Sequence, residues 1–198
     1  MKHSVYVRSL RESLDRAQRT EIHLDGFQRA AVLVPLLNLK TGVELLLTLR
    51  TEGVETHKGQ VSFPGGAVED GDRDIVSTAL REAEEEIGLR AAAVTTVGFL
   101  DDHATPSGFV ITPVVGVLRG FPELHLNPHE VAELLRIPLQ FFAETQRVRR
   151  EQREFRGRTH DVWYYDTGTQ VIWGATAAMV RSLLSRLGML RPEVGAMT

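Results

Sequence analysis

The pattern of apolar and polar positions first predicts a β-hairpin in the N-terminal third of the chain. The segments Ala30–Leu37 and Val43–Arg50 are rich in leucine and valine, and the intervening Asn38–Gly42 is short and contains a glycine. Two apolar runs around such a turn-forming segment are typical of paired antiparallel strands.

Helical spacing of apolar residues predicts three helices. The first covers about residues 4–18, where apolar residues recur among charged ones, and the last covers Gly174–Leu187. The middle helix has a four-residue apolar repeat that would form its buried stripe. The repeat consists of Ile75, Ala79, Ala83 and Ile87.

The ends of the middle helix carry recognisable capping residues. Asp72 or Asp74 could serve as the N-cap, because a short acidic side chain accepts hydrogen bonds from the first free backbone N–H groups. Gly88 is suited to a left-handed C-cap. A helix running from the mid-seventies to Ile87 is therefore predicted.

Further short apolar runs predict strands in the rest of the chain, separated by polar segments such as DDHATPSG after Leu100. These runs are Gln60–Phe63, Val94–Leu100, Phe109–Leu118, Val131–Ile137, and a late hairpin formed by Phe155–Gly157 and Val162–Tyr165. Strands interleaved with helices favour a mixed sheet with helices on its faces. The expected fold class is therefore α/β or α+β, a layered sandwich in one domain over residues 1–198, with a loose tail after Gly188.

Composition narrows the class of protein. The chain has 198 residues, a formal net charge of -3 and no cysteine. A thiolate metal site, a cysteine nucleophile and a disulfide framework are therefore excluded. No apolar run reaches the roughly 20 residues of a membrane span, and no secretory signal is evident. A cytoplasmic protein is expected, with no nucleic-acid or membrane partner, and a homodimer is left open.

Acidic residues are concentrated at the C-terminal end of the middle helix. Glu82, Glu84, Glu85 and Glu86 lie where the helix dipole favours cations, and like charges at three- and four-residue spacing repel by about 0.2–0.5 kcal/mol per pair. An isolated run of glutamates is usually a solvated face. Here a Pro-Gly-Gly turn and Arg81 accompany it, and we expect the acids to project opposite the apolar stripe. A hard divalent cation would offset the repulsion.

Together these residues resemble the signature of the Nudix hydrolases. The second half of that signature, R-E-U-x-E-E-x-G-U with U aliphatic, is filled by residues 81–89. In the first half, Asp72 replaces a glutamate, and eight residues rather than seven separate it from Arg81. The resemblance implies a Nudix-type α/β/α sandwich with a central mixed β-sheet. It also implies hydrolysis of a nucleoside diphosphate derivative with Mg²⁺ or Mn²⁺ as cofactor.

A second motif resembles the coenzyme A pyrophosphatases of that family. Residues 46–66 read L-L-T-x-R followed by G-x-x-x-F-P-G-G, although Glu55 stands where the subgroup has an arginine and Thr51 where it has Ser or Ala. This implies cleavage of coenzyme A, its thioesters or its oxidised form to 3′,5′-ADP and 4′-phosphopantetheine. The alternatives are ADP-ribose or a dinucleoside polyphosphate as substrate, or a non-catalytic nucleotide-sensing domain.

The metal ligands are expected among the glutamates of the middle helix. Glu82 and Glu86 lie one turn apart and are the first choice, with Glu85 as a further ligand. By resemblance, the backbone carbonyl of Gly65 completes the shell and Arg81 orients a glutamate.

The general base has several candidates, because it must reach the attacking water in its unprotonated form. It is either a helix glutamate, Glu82 or Glu85, or an acid of the later segment NPHEVAEL, Glu130 or Glu133.

Substrate-binding residues are expected around the glycine turn and on the polar loops. Glycine permits close approach of backbone to a pyrophosphate, and loops carry binding residues. The candidates are Arg50, His57, Lys58, Gly65 and Gly66, together with His103, Thr105 and Ser107. Trp163 and Trp173 are instead expected in the core or at an interface.

Overall fold

A computed structural model describes residues 3–16, 18–51, 59–155 and 157–190. Its helices are α1 (His3–Asp15), α2 (Ile75–Ile87), α3 (Leu139–Phe142) and α4 (Gly174–Arg186). The strands are β1 (Gln28–Leu39), β2 (Gly42–Arg50), β3 (Val61–Ser62), β4 (Gly65–Ala67), β5 (Val94–Phe99), β6 (His103–Ala104), β7 (Phe109–Leu118), β8 (Val131–Pro138), β9 (Val148–Phe155), β10 (Arg158–Asp166) and β11 (Val171–Trp173).

The larger sheet is mixed, and in the described part of the chain it has eight strands. Its main path runs β3-β2-β1-β7-β5, and β4, β6 and β8 attach to β1, β7 and β2 respectively. The central β1–β7 pair is parallel, whereas the other pairs are antiparallel. The remaining strands form a second sheet in the order β11-β10-β9.

The strands β1 and β2 form the predicted hairpin and then diverge. They pair from Leu36↔Leu45 to Leu39↔Gly42, beside the turn. Farther from the turn, β4 pairs with β1 at Ala30–Val32, and β3 pairs with β2 at Thr48 and Leu49. The short segment 61–67 therefore bridges the fork between the two strands, and the Pro-Gly-Gly turn lies in it.

Two apolar cores, one on each face of the large sheet, hold the layers together. Alternate residues of a strand point to opposite faces, so Leu33 and Val34 of β1 enter different cores. One core contains the buried face of α2, and the other contains apolar residues of α1, α3, α4 and the second sheet. The predicted layered sandwich with a central mixed sheet is confirmed.

Helix α2 has both predicted caps. Asp74 is the N-cap: its carboxylate accepts from the Ser77 N–H at 2.7 Å, and the Ser77 hydroxyl accepts from the Asp74 N–H at 2.9 Å. Such a reciprocal pair satisfies two backbone donors at the helix start. Gly88 is left-handed, with φ of 68°, and its N–H donates to the Glu84 carbonyl at 2.9 Å.

Some predicted boundaries were wrong. Helix α1 ends at Asp15, and the polar segment after Leu100 contains the short strand β6. The late hairpin is longer than predicted, because β9 starts at Val148 and pairs with β10 as far as Tyr165. Residues 191–198 of the predicted tail lie outside the described residues. Among the described helices, none is long and apolar enough to cross a membrane.

Candidate active site

The glycine turn lies directly against β1 and α2. A side-chain carbon added to Gly65 would lie 2.3 Å from the Ala31 carbonyl oxygen, and one added to Gly66 would lie 2.5 Å from a carboxylate oxygen of Glu82. Glycine is required at position 65, because the atom it would meet belongs to the backbone of β1. At position 66 a larger residue would displace the carboxylate of Glu82.

Asp72 holds Arg81 in a two-pronged ion pair. The Arg81 Nε and Nη2 atoms donate to the two Asp72 oxygens at 3.0 and 3.1 Å, and the Thr78 hydroxyl donates to Oδ2 at 2.8 Å. The guanidinium holds the pKa of Asp72 well below its usual range. A turn precedes Asp72, whose N–H donates to the Glu69 carbonyl at 3.0 Å.

Arg81 also orients the first glutamates of the acidic set. Its Nη1 atom donates to Glu82 at 2.8 Å and to Glu85 at 3.0 Å, and Nη2 donates to the Ala67 carbonyl at 3.1 Å. Burial raises the pKa of Glu82, and the hydrogen bond from Arg81 opposes that rise. Glu85 is 54% exposed. Its assignment as a metal ligand or base stays a prediction.

Glu86 is buried, unlike Glu84 and Glu85 of the same helix, and its position opposite the apolar stripe stays a prediction. Its side chain is 2% exposed, and burial raises the pKa of Glu86 to about 8. Oε1 accepts from Arg50 Nη1 at 3.4 Å, whereas Oε2 and the Arg50 Nε atom are buried without a hydrogen-bond partner. The predicted substrate-binding arginine at the end of β2 thus contacts a predicted metal ligand in the last turn of α2.

The segment 125–131 brings Glu130 to the same place. The N–H groups of His125 and Asn127 donate to the carbonyls of Ile87 and Glu86, at 3.0 and 2.9 Å. On the other side, the Thr51 N–H donates to the Glu130 carbonyl at 3.0 Å. Glu130 contributes to raising the pKa of both Glu82 and Glu86, which reflects its proximity to them.

Asn127 is a residue that the sequence analysis missed. Its side-chain N–H group donates to Glu130 Oε1 at 3.0 Å, and its Oδ1 atom accepts from the His129 N–H at 3.1 Å. This amide therefore fixes both the turn and the carboxylate of the base candidate. The Asn-Pro pair was the available signal, because such pairs favour turns.

Glu133 lies apart from this group. It is exposed on β8, where it pairs opposite Leu49. Of the two acids of the later segment, Glu130 is therefore the better placed base candidate.

Other predicted site residues lie elsewhere. His103 is on β6, which is separated from β4 by β7 and β1, and burial lowers its pKa. Thr105 and Ser107 bond to each other at 3.0 Å in the turn before β7. A substrate contact from these three residues stays a prediction. His57 and Lys58 lie outside the described residues.

The tryptophans lie around the second sheet. Trp163 packs against the core that contains α4, and the Arg181 guanidinium lies 3.4 Å from the centre of its ring. Trp173 is 39% exposed and stacks on Tyr164 with ring centres 6.1 Å apart.

The acids of this site offer a small donor set for a divalent metal. Within the described ranges, no three Asp, Glu or His side chains are grouped so that they could hold a metal ion. Mg²⁺, however, keeps several waters and is commonly bound by one or two carboxylates. The unpartnered Oε2 of Glu86 and the half-buried carboxylate of Glu82 fit that requirement. If these two residues hold the ion, it supplies positive charge and Lewis acidity.

Comparisons of sequence agree with this geometry. The sequence model of the NUDIX domain matches residues 27–164. The chain is 42% identical over 159 residues to the protein of Pectobacterium atrosepticum named "Uncharacterized Nudix hydrolase NudL", covering 79% of this chain and 81% of that protein. It is 37% identical over 186 residues to the protein of the same name from Yersinia enterocolitica, covering 92% and 95%.

Comparisons of structure support the same fold. The Nudix hydrolase RenU of M. smegmatis matches with a TM-score of 0.58 at 17% identity, over 85% of this chain and 91% of RenU. DR0079 from Deinococcus radiodurans matches with a TM-score of 0.51 at 18% identity, over 84% of this chain and 86% of that chain. Since the family model covers more than half of the sequence and the relatives match most of it, the chain belongs to the Nudix hydrolase family.

Proposed function

We propose that this Nudix hydrolase cleaves the pyrophosphate bond of coenzyme A or its thioesters, giving 3′,5′-ADP and 4′-phosphopantetheine. One observation carries the proposal: Arg50, from the motif typical of coenzyme A pyrophosphatases, lies 3.4 Å from Glu86 of the Nudix signature. The same motif ends in Gly66, which lies against Glu82. The two motifs therefore form one site.

The residues of this site have separable roles in the proposed reaction. The glycine turn admits the pyrophosphate close to the backbone, and Arg50 supplies positive charge for its phosphate oxygens. Glu82 and Glu86 would hold Mg²⁺ or Mn²⁺, which offsets the repulsion between the carboxylates and the anionic substrate. Arg81 donates to both Asp72 and Glu82 and thereby keeps Glu82 in place.

Glu130 is the proposed general base. Its carboxylate takes a proton from water as the water oxygen bonds to phosphorus and the bridging P–O bond breaks. Asn127 holds that carboxylate through one oxygen, which leaves the other free to face the water. Glu82 remains the alternative base.

The test is a product analysis. Purified protein is incubated with Mg²⁺ or Mn²⁺ and, separately, with coenzyme A, acetyl-coenzyme A, ADP-ribose and a dinucleoside polyphosphate, and products are resolved by chromatography. We expect 3′,5′-ADP from the first two. Cleavage of only the other nucleotides would contradict the coenzyme A assignment and retain the enzyme class. Binding without turnover at any metal concentration would indicate a nucleotide sensor.

A matched pair of variants identifies the site responsible. Glu82→Gln changes a half-buried acid held by Arg81, and Glu84→Gln changes an exposed acid on the same helix. We expect turnover to be lost only in the first variant. Equal rates in both would exclude Glu82 from the reaction.

A further inference from the structure

The ion pair between Arg50 and Glu86 is incomplete on both sides. A guanidinium can offer two parallel N–H donors to a carboxylate, and buried pairs are stable only when their remaining polar atoms are satisfied. Here one contact of 3.4 Å joins the groups, and both Arg50 Nε and Glu86 Oε2 are buried without partners. Neither Arg50 nor Glu86 therefore makes all the hydrogen bonds that its side chain can form.

The surroundings favour a different partner for each member. Glu82 and Glu130 both add negative charge around Glu86, so its carboxylate faces more charge than one arginine neutralises. Arg50 is 20% exposed and ends β2, so its guanidinium can turn outward without moving the core.

We propose that Arg50 is a displaceable counterion of Glu86. In the metal-free protein it is the side chain that pairs with Glu86. A divalent cation bound at Glu86 takes over that role and releases the guanidinium to the phosphate groups of the substrate. This inference rests on the proposed function for the class of substrate, but the exchange itself concerns only the metal and Arg50.

The exchange has a thermodynamic consequence. Because Arg50 and the cation compete for one carboxylate, removing the guanidinium strengthens metal binding, even though the same change removes a substrate contact. If Arg50 served only to hold Glu86 in position, its removal would weaken metal binding, because the carboxylate would be held less firmly.

The first experiment measures Mg²⁺ affinity by calorimetry without substrate, at about pH 8.5, where protons compete less for the carboxylates. We expect Arg50→Met to bind Mg²⁺ about fivefold more tightly than the wild type, at the lower end of typical coupling between sites. Arg136→Met is the matched control. Arg136 is another arginine of the large sheet, paired with Glu44 at 2.7 Å, and its loss should leave the affinity unchanged. Unchanged or weaker binding in Arg50→Met would overturn the proposal.

The second experiment uses the unaltered chain. The Nε–H signal of Arg50, assigned by its loss in Arg50→Lys, is followed by NMR during Mg²⁺ titration. We expect it to shift as the buried, unpartnered Nε reaches solvent. A signal that stays in place at saturating Mg²⁺ would overturn the exchange, and tighter binding in Arg50→Met would then reflect only the loss of a repelling charge.

Neither readout needs turnover. A protein that fails to cleave coenzyme A but shows both effects would refute the proposed substrate and retain the exchange. Cleavage of coenzyme A with neither effect would support the proposed substrate and refute the exchange.

Discussion

Two arginines contact acids of the candidate active site, and they do so in different ways. Arg81 makes two contacts of 3.0 and 3.1 Å to Asp72, and its remaining donors reach Glu82, Glu85 and a backbone carbonyl. Arg50 makes one contact of 3.4 Å to Glu86 and leaves a buried donor and a buried acceptor unmatched.

The complete hydrogen bonding of Arg81 with Asp72 is typical of a permanent ion pair, whereas the incomplete bonding of Arg50 with Glu86 fits the proposed exchange. Asp72 is 4% exposed, and its pKa is lowered because the Arg81 hydrogen bonds outweigh its burial. Glu86 is 2% exposed, and its pKa is raised because burial outweighs Arg50. The two acids therefore shift in opposite directions: the hydrogen bond from Arg81 dominates at Asp72, whereas burial dominates at Glu86 and the neighbouring Glu130 and Glu82 add to the rise.

The largest expected effect is on turnover. Glu86→Gln removes a ligand charge and should lower the rate by about a thousandfold, because Lewis-acid stabilisation is worth several kcal/mol. The melting temperature should not fall, since a neutral side chain is easier to bury. Initial rates and thermal melts test both points, with Glu84→Gln as control. A stable variant that retains full activity would exclude Glu86 as a ligand.

The next effect distinguishes the two arginines by stability. Arg81→Met leaves Asp72 buried and unpaired, which should cost about 3–5 kcal/mol in the free energy of unfolding. Arg50→Met should cost much less, because Glu86 can take up a proton. Urea unfolding measures both. Adding Asp72→Asn to Arg81→Met should recover part of the loss. If the effects of the two substitutions on the free energy of unfolding simply add, the ion pair between Arg81 and Asp72 does not stabilise the fold as described.

A smaller effect concerns the base candidate. Asn127→Ala removes the hydrogen bond that holds Glu130 and should lower turnover about tenfold, since hydrogen bonds to charged groups are worth about 1.5–3 kcal/mol. Asn127→Ser, which keeps a donor, should lose less. If both variants match the wild type across the pH–rate profile, Asn127 does not position the base.

The pH dependence of stability tests the opposite shifts of the two acids. Glu86 has a folded-state pKa of about 8, above its value of 4.5 in the unfolded chain, so the folded protein binds the extra proton between these values. Its contribution is present at low pH and is lost as pH rises through this range, by at most about 1.4 kcal/mol per pH unit. Asp72 acts in the opposite direction, and its contribution is lost as pH falls below 3.8.

Urea unfolding of the metal-free protein between about pH 5 and 8 measures the slope due to Glu86, and unfolding between about pH 2 and 4 measures the loss due to Asp72. The decline in stability should be reduced in Glu86→Gln, whereas the acid-side loss should be reduced in Asp72→Asn. An identical profile in wild type and Glu86→Gln would show that Glu86 is ionised throughout.

The smallest expected effect is the loss of stability when the N-cap of α2 is removed. Asp74→Ala removes the N-cap of α2 and should cost about 1 kcal/mol, or about 2–4 °C in melting temperature. It touches neither arginine pair, so Mg²⁺ affinity should be unchanged. A change in affinity would mean that the start of α2, rather than its end, controls the site.

The sequence predicted what is local. The hairpin, the two caps of α2 and the glycine turn follow from spacing and residue type over a few positions, and the structure has all of them. The sandwich followed from the order of these elements. Local rules apply here because a cap or a turn is determined by neighbours in the chain.

The missed features depend on distant residues. Glu86 is buried and contacts Arg50, 36 positions away, and no periodicity within α2 reveals that contact. Strand β9 was hidden by its charges, because most of its residues are exposed and polar. The guanidinium groups of Arg149 and Arg153 lie over the ring of Tyr164 on the neighbouring strand, at 4.1 and 5.9 Å.

The fork between β1 and β2 separates the shape of the site from its selectivity. Segment 61–67 is anchored by backbone pairing to both diverging strands, so the position of the Pro-Gly-Gly turn depends little on which side chains surround it. Related proteins could therefore differ in the residues that contact the leaving group, while the residues proposed for hydrolysis keep their positions. A library restricted to positions around Arg50 would explore new nucleotide substrates on an unchanged scaffold.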